Sequence, residues 1–240
     1  MSSPRIDARD RLIVALDLPS VEDAQDLVRS LDGTAHFFKV GLALQLASGA
    51  EALIRSLISE GKKVFLDYKY YDVPETLRKA VSRASKLGVS FLTIHGSSAL
   101  IRAAVEAKTD SDMKLFTVTV LTSMDAGDMA EMGYTNHTVE ELVLFRARKA
   151  LDAGCDGVIA SGREAKKIRE ISGDRLLVVT PGIRPEDYPG DDQKRRTTAT
   201  AAILAGADFL VVGRPITDAA NPRSATQQFL TEMQGAFSQV

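Results

Sequence analysis

Eight times along this chain a short apolar run gives way to a longer amphipathic stretch. The runs are Leu12–Asp17, Phe37–Gly41, Lys63–Asp67, Phe91–His95, Leu115–Val120, Gly157–Ala160, Leu176–Thr180 and Phe209–Gly213. They are rich in β-branched and aromatic residues and too short for buried helices, so they predict strands. The intervening stretches predict helices over roughly 20–31, 43–60, 74–87, 97–108, 138–153, 163–171, 194–206 and 222–237. Ser20 ahead of Glu22-Asp23 reads as a helix cap and Pro74 as a first-turn proline. Gly61, Gly88, Gly154 and Gly206 read as helix stops. Strands alternating with helices imply a parallel sheet. Eight such units in 240 residues favour closure, so the expected fold is α/β, a single (β/α)8 (TIM) barrel domain over 1–240.

Composition narrows the function. Lys and Arg total 30 against 32 for Asp and Glu, a net charge of −2, which gives no global attraction to a nucleic acid polymer or an anionic membrane. A local basic pocket for a small anion stays open. The opening M-S-S-P-R-I-D-A-R-D-R lacks the apolar stretch of a secretory signal, and no apolar run approaches the roughly 20 residues of a membrane helix. Cys155 is the lone cysteine, so neither an intrachain disulfide nor a cysteine-based metal site can form. These features fit a cytoplasmic protein. No paired-histidine zinc motif and no glycine-rich nucleotide loop is present, and His36, His95 and His137 read as structural.

Chemistry is expected where the strands end, on the C-terminal face. Asp67 and Lys69 in D-Y-K-Y-Y-D are two apart, so an extended strand end points both the same way. Asp72 lies beyond the strand, where periodicity cannot aim it; it folds back or reaches a neighbouring subunit. Lys39 follows an apolar run in F-F-K-V-G, an unexpected place for a charge without a partner. Alternating signs at a barrel mouth keep a lysine protonated and able to act as a general acid. An array of Lys39, Asp67, Lys69 and Asp72 is therefore the expected reactive centre. Gly213 and Arg214 in V-V-G-R-P-I-T suit a phosphate, since a guanidinium donates several hydrogen bonds in one plane. The alternative for Arg214 is a surface ion pair. The Pro- and Gly-rich loop from Pro181, carrying Arg184 and ending at Gln193, reads as a lid beside that site.

These pieces together resemble the orotidine 5′-phosphate decarboxylase family, from about Arg11 to Pro222. The matching stretches are I-V-A-L-D, F-K-V-G, F-L-D-Y-K-Y-Y-D-V-P-E-T, L-T-S-M, P-G-I-R-P, D-Q-K-R-R and A-D-F-L-V-V-G-R-P-I-T. The D-x-K-x-x-D element alone is also similar to Mg²⁺-dependent sugar-phosphate barrels; the other stretches point to the OMP enzyme. The resemblance implies conversion of OMP to UMP with no metal and no cofactor. It implies that Lys69 protonates carbon 6 of the pyrimidine, Asp67 lies against the substrate carboxylate, and Asp17 and Lys39 hold ribose hydroxyls. It places Thr122 and Ser123 at the pyrimidine edge, and Pro181, Arg184, Gln193, Gly213 and Arg214 among the substrate-binding groups, most of them at the phosphate. It further implies a homodimer in which Asp72 and Thr76 complete the partner's site. Tyr70-Tyr71, Ser97-Ser98 and Thr198-Ala199 depart from the common pattern, affecting the pocket wall and dimer contact rather than the reactive groups. A sugar-phosphate enzyme, an isomerase barrel and a silent ligand-binding barrel are the alternatives.

Overall fold

A computed structural model describes residues 7–108, 111–189 and 192–240; the first six residues and Gly190-Asp191 of the expected lid lie outside them. Eight strands close into a parallel barrel in chain order: β1 (Leu12–Ala15), β2 (Phe37–Gly41), β3 (Lys63–Tyr70), β4 (Phe91–Ile94), β5 (Lys114–Val118), β6 (Gly157–Ile159), β7 (Leu177–Thr180) and β8 (Phe209–Val212). Closure is through β1 pairing with β8. The helices are α1 (Val21–Ser30), α2 (Leu42–Gln45), α3 (Ala50–Ser59), α4 (Pro74–Leu87), α5 (Ser98–Ala107), α6 (Ala126–Glu131), α7 (Val139–Asp152), α8 (Gly162–Ser172), α9 (Ala199–Leu204), α10 (Arg214–Thr217) and α11 (Pro222–Phe237). Ser20 caps α1 by accepting from Asp23 N, and Pro74 opens α4, as their sequence positions predict. No helix among the described residues is long and apolar enough to cross a membrane.

Period-two alternation sorts the strands into two cores. Leu12, Val14 and Leu16 face outward, packing with the apolar stripes of the helices, such as Leu77, Val81 and Ala84 of α4. Ile13 and Ala15 face inward, together with Phe37, Phe65, Phe91, Phe116 and Phe209. These rings sit 4.6–6.4 Å apart, many of them edge to face. The barrel interior is therefore a packed aromatic plug, and polar chemistry is confined to its upper rim.

Two expected helices differ. The stretch 43–60 breaks into α2 and α3, because Gly49 takes φ 85 and turns the chain between them. The stretch 194–206 is helical only from Ala199, because Arg184 N donates to Thr197 O while Thr198 caps the helix through Ala201 N. The long 121–137 loop holds an unanticipated short helix, α6, boxed by Asp125 and Asp128.

Candidate active site

Continuing each inward-facing register to the strand end delivers the site. After Ile13 and Ala15 comes Asp17; after Phe37 comes Lys39; after Phe65 come Asp67 and Lys69. Lys39 is buried, its side chain only 8% exposed, which demands charged partners. Its Nζ donates to both carboxylate oxygens of Asp17 at 2.9 Å and lies 3.5 Å from Asp67 Oδ2. The other oxygen, Asp67 Oδ1, accepts from Lys69 Nζ at 2.9 Å. The result is a line of alternating charge across three strands: Asp17, Lys39, Asp67, Lys69. Burial alone would push the Asp67 carboxyl up. The two ammonium groups, with hydrogen bonds from Lys69 and Thr93, outweigh it and hold Asp67 below the ordinary 3.8.

Local backbone geometry sets how Lys69 projects. The β3–β4 ladder pairs Leu66 with Leu92 and next Tyr70 with Ile94, so a bulge holds Asp67, Tyr68 and Lys69 opposite Thr93 alone. Inside the bulge Lys69 has φ 49, the only non-glycine with positive φ among the described residues. Such a conformation persists only where its surroundings over-determine it, and it clusters at functional sites.

A wall carrying two arginines faces this line. A cleft of about 410 Å³ opens between Asp17, Lys39 and Asp67 on one side and the loops after β5, β7 and β8 on the other. Arg184, only 6% exposed, reaches it with its guanidinium over the Tyr188 ring. Arg214 reaches it from the start of α10 and pairs with Asp192 of the lid, so the ion-pair reading of Arg214 describes this state. Pro181 and Gly213 form part of the same wall. Thr122 Oγ1 and Gln193 Oε1 are 2.6 Å apart, joining the loop after β5 to the lid. Below them Arg195 is buried: its Nη2 donates to Val120 O and Leu121 O at 2.7 and 3.0 Å. Its Nη1 sits 2.8 Å from Glu164 Oε2, too oblique for a directed hydrogen bond. Burial pushes the Glu164 carboxyl up despite that neighbour.

Four expected groups are not part of the cleft lining: Lys69, which meets the cleft through Asp67, and three that stand further apart. Ser123 does not line it, and Asp72 and Thr76 are exposed beyond the end of β3. Asp72 accepts from Val73 N and makes no ion pair among the described residues. Thr93, Glu164 and Arg195 were missed by sequence reasoning. For Thr93 a signal existed: counting by two from Phe91 places it on the inner face with Lys39 and Asp67. A larger hollow of about 820 Å³ over Phe37, Phe91 and Phe209 lies at the opposite end of the barrel, away from the charged rim.

Chemically, the rim offers an amine braced against a carboxylate, with two guanidinium groups across the cleft. Asp17 and Asp67 are the carboxylates a metal cation would seek, but both are already taken by ammonium groups that would repel it.

Residues 10–229 match the family described as Orotidine 5'-phosphate decarboxylase / HUMPS. An orotidine 5'-phosphate decarboxylase of Nitrobacter winogradskyi is 52% identical over 230 residues, covering 96% of this chain and 95% of that one. One of Methylococcus capsulatus is 47% identical over 239 residues, covering 99% and 98%. The crystal structure of orotidine 5'-phosphate decarboxylase from Lactobacillus acidophilus superposes with a TM-score of 0.80 at 35% identity, covering 93% of this chain and 98% of that one.

Proposed function

The chain belongs to the orotidine 5′-phosphate decarboxylase / HUMPS family and decarboxylates orotidine 5′-monophosphate to UMP in pyrimidine nucleotide synthesis, and we propose that Lys69 protonates carbon 6 of the pyrimidine with no metal taking part. The bond from carbon 6 to the carboxyl carbon breaks, CO2 departs, and the electron pair stays on carbon 6. The Lys69 ammonium stabilises that developing charge and transfers its proton there. The neutral amine then regains a proton from solvent. The observation that carries this reading is the placement of Lys69 Nζ 2.9 Å from an Asp67 carboxylate that Lys39 neutralises from the other side. Asp67 faces the substrate carboxylate, and Asp17 and Lys39 hold the ribose. Thr122 and Ser123 meet the pyrimidine edge.

Phosphate binding falls to Arg184, Gln193, Gly213 and Arg214, with Pro181 shaping the wall. The substrate phosphate replaces Asp192 on Arg214, and that remote binding energy orders the lid over the reacting ring. The chain works as one barrel domain and as a cytoplasmic homodimer in which Asp72 and Thr76 enter the partner's site. Support for the dimer comes from Asp72 itself, which has no charged partner among the described residues of its own chain. It is flanked by Tyr71 and Val73, 69% and 63% exposed.

The test is loss of the orotate absorbance on mixing the protein with OMP, with and without EDTA. Turnover that EDTA leaves unchanged is the expected result. Turnover abolished by EDTA would overturn the metal-free proposal, and a folded protein inert toward OMP but active on a keto-sugar phosphate with Mg²⁺ would move it to the other branch of the family.

A further inference from the structure

We infer that Thr93, a residue on the fourth strand with no direct contact to the reacting ring required, positions the proton donor and its counter-ion through one hydroxyl. The argument starts from the bulge. On the β4 side Asp67, Tyr68 and Lys69 have no ladder partners, and only Thr93 stands opposite them. The orphaned Lys69 N–H donates to Thr93 Oγ1 at 2.9 Å. Thr93 Oγ1 also lies 2.9 Å from Asp67 Oδ1 and 3.4 Å from Leu66 O. A hydroxyl has a single proton, and the shorter, charge-assisted acceptor takes it. Thr93 therefore accepts from the backbone of the lysine and donates to the same carboxylate oxygen that the lysine's ammonium binds.

Thr93 is fully buried, so solvent does not compete for its hydroxyl in the folded protein. The left-handed backbone of Lys69, unusual for any residue with a side chain, is held at its N–H by this contact. Val or Ala at this position would supply strand packing but neither bond. The structural signature is thus a polar group whose two hydrogen bonds both end on the residues of the proposed proton transfer.

This inference rests on Lys69 as the proton donor, and its test separates the two. Parent, Thr93→Ser and Thr93→Ala are assayed side by side for kcat and KM with OMP, for the acid limb of kcat/KM, and for UMP binding. Serine and alanine differ by the one oxygen at issue. Thr93→Ala is expected to lose about 10- to 100-fold in kcat, with KM within about threefold, as supporting partners of reactive groups do. Its acid limb should move to higher pH, because Asp67 loses a donor; a purely structural role would leave that limb in place. Thr93→Ser should keep more than about a third of the parent kcat. If the alanine protein fails to fold, Thr93→Val, which keeps the shape, carries the same comparison. A hydroxyl-free variant with kcat within about threefold of the parent would overturn the inference, as would a serine variant as impaired as alanine while both bind UMP. A parent inert toward OMP would take down the functional reading, and this inference with it.

Discussion

Gly41 shows how tightly single residues define the rim. Its φ is −109, which any residue adopts, yet an added Cβ would lie 2.6 Å from Asp17 Oδ1 and 2.8 Å from Lys39 Nζ. Gly41→Ala should therefore fold normally but pry the Asp17–Lys39 pair apart, lowering kcat/KM about tenfold or more; steady-state kinetics beside a thermal melt separates the two effects. Lys69→Ala should lose nearly all OMP turnover yet still bind UMP, as a UMP titration would show. A variant with near-normal turnover removes Lys69 from its role. The pH profile has a definite sign. The Asp67 carboxyl is depressed in the folded protein, so its contribution is present above the ordinary 3.8 and is lost as pH falls through the lower folded value. The acid limb assigned to Asp67 should thus lie below about pH 4 in kcat/KM measurements. At this scale the sequence was informative where strand period and charge coincide, as at Asp17, Lys39, Asp67 and Lys69. For Thr93 the period alone gave the inner face, and its role stayed unread because a threonine in F-L-T-I serves equally well as a β-branched strand former.

Loops and helices brace the rim from the side of β5, β7 and β8. Arg195 links the base of the lid to the carbonyls of Val120 and Leu121, and its own N–H donates to Thr122 O at 3.0 Å. Its buried counter-ion is Glu164 on α8. Glu164→Ala would leave a buried guanidinium without its charge partner, a loss of about 3–5 kcal/mol in urea unfolding. Because the same arginine fixes Thr122 beneath Gln193, KM for OMP should rise as well. Arg214 acts at the other end of the lid. If Arg214 grips the phosphate as proposed, Arg214→Ala removes charge-assisted bonds to it, so kcat/KM should fall about 100-fold although the reacting carbon is untouched. Unchanged kcat/KM would sink the phosphate assignment. Elements with clear start signals and apolar stripes, such as α1 behind Ser20 and α4 opened by Pro74, were legible. The break at Gly49 and the late start of α9 were not, since both depend on contacts that local propensity cannot see: a left-handed turn and the Arg184–Thr197 backbone bond.

Barrel closure followed from counting strands, because parallel neighbours joined by short helices leave few other ways to remove sheet edges. Assembly could not be counted in this way. Asp72 is the one member of the expected four-charge array that the folded chain does not bring to Lys69, and it sits in an exposed apolar setting with Tyr71 and Val73. A carboxylate supplied by a second copy across a two-fold axis would complete the array, and symmetry gives that idea a quantitative test. In such a dimer Lys69→Ala would damage only the site on its own subunit, and Asp72→Ala only the site on the other. Each variant alone should be nearly inactive. Mixed in equal amounts and allowed to exchange subunits, half of the dimers are hybrids, and each hybrid has one site with both native residues. About a quarter of the parent activity should therefore return on mixing. If Asp72 instead folded back onto its own Lys69, every site in the mixture would still lack one residue, and no activity would return.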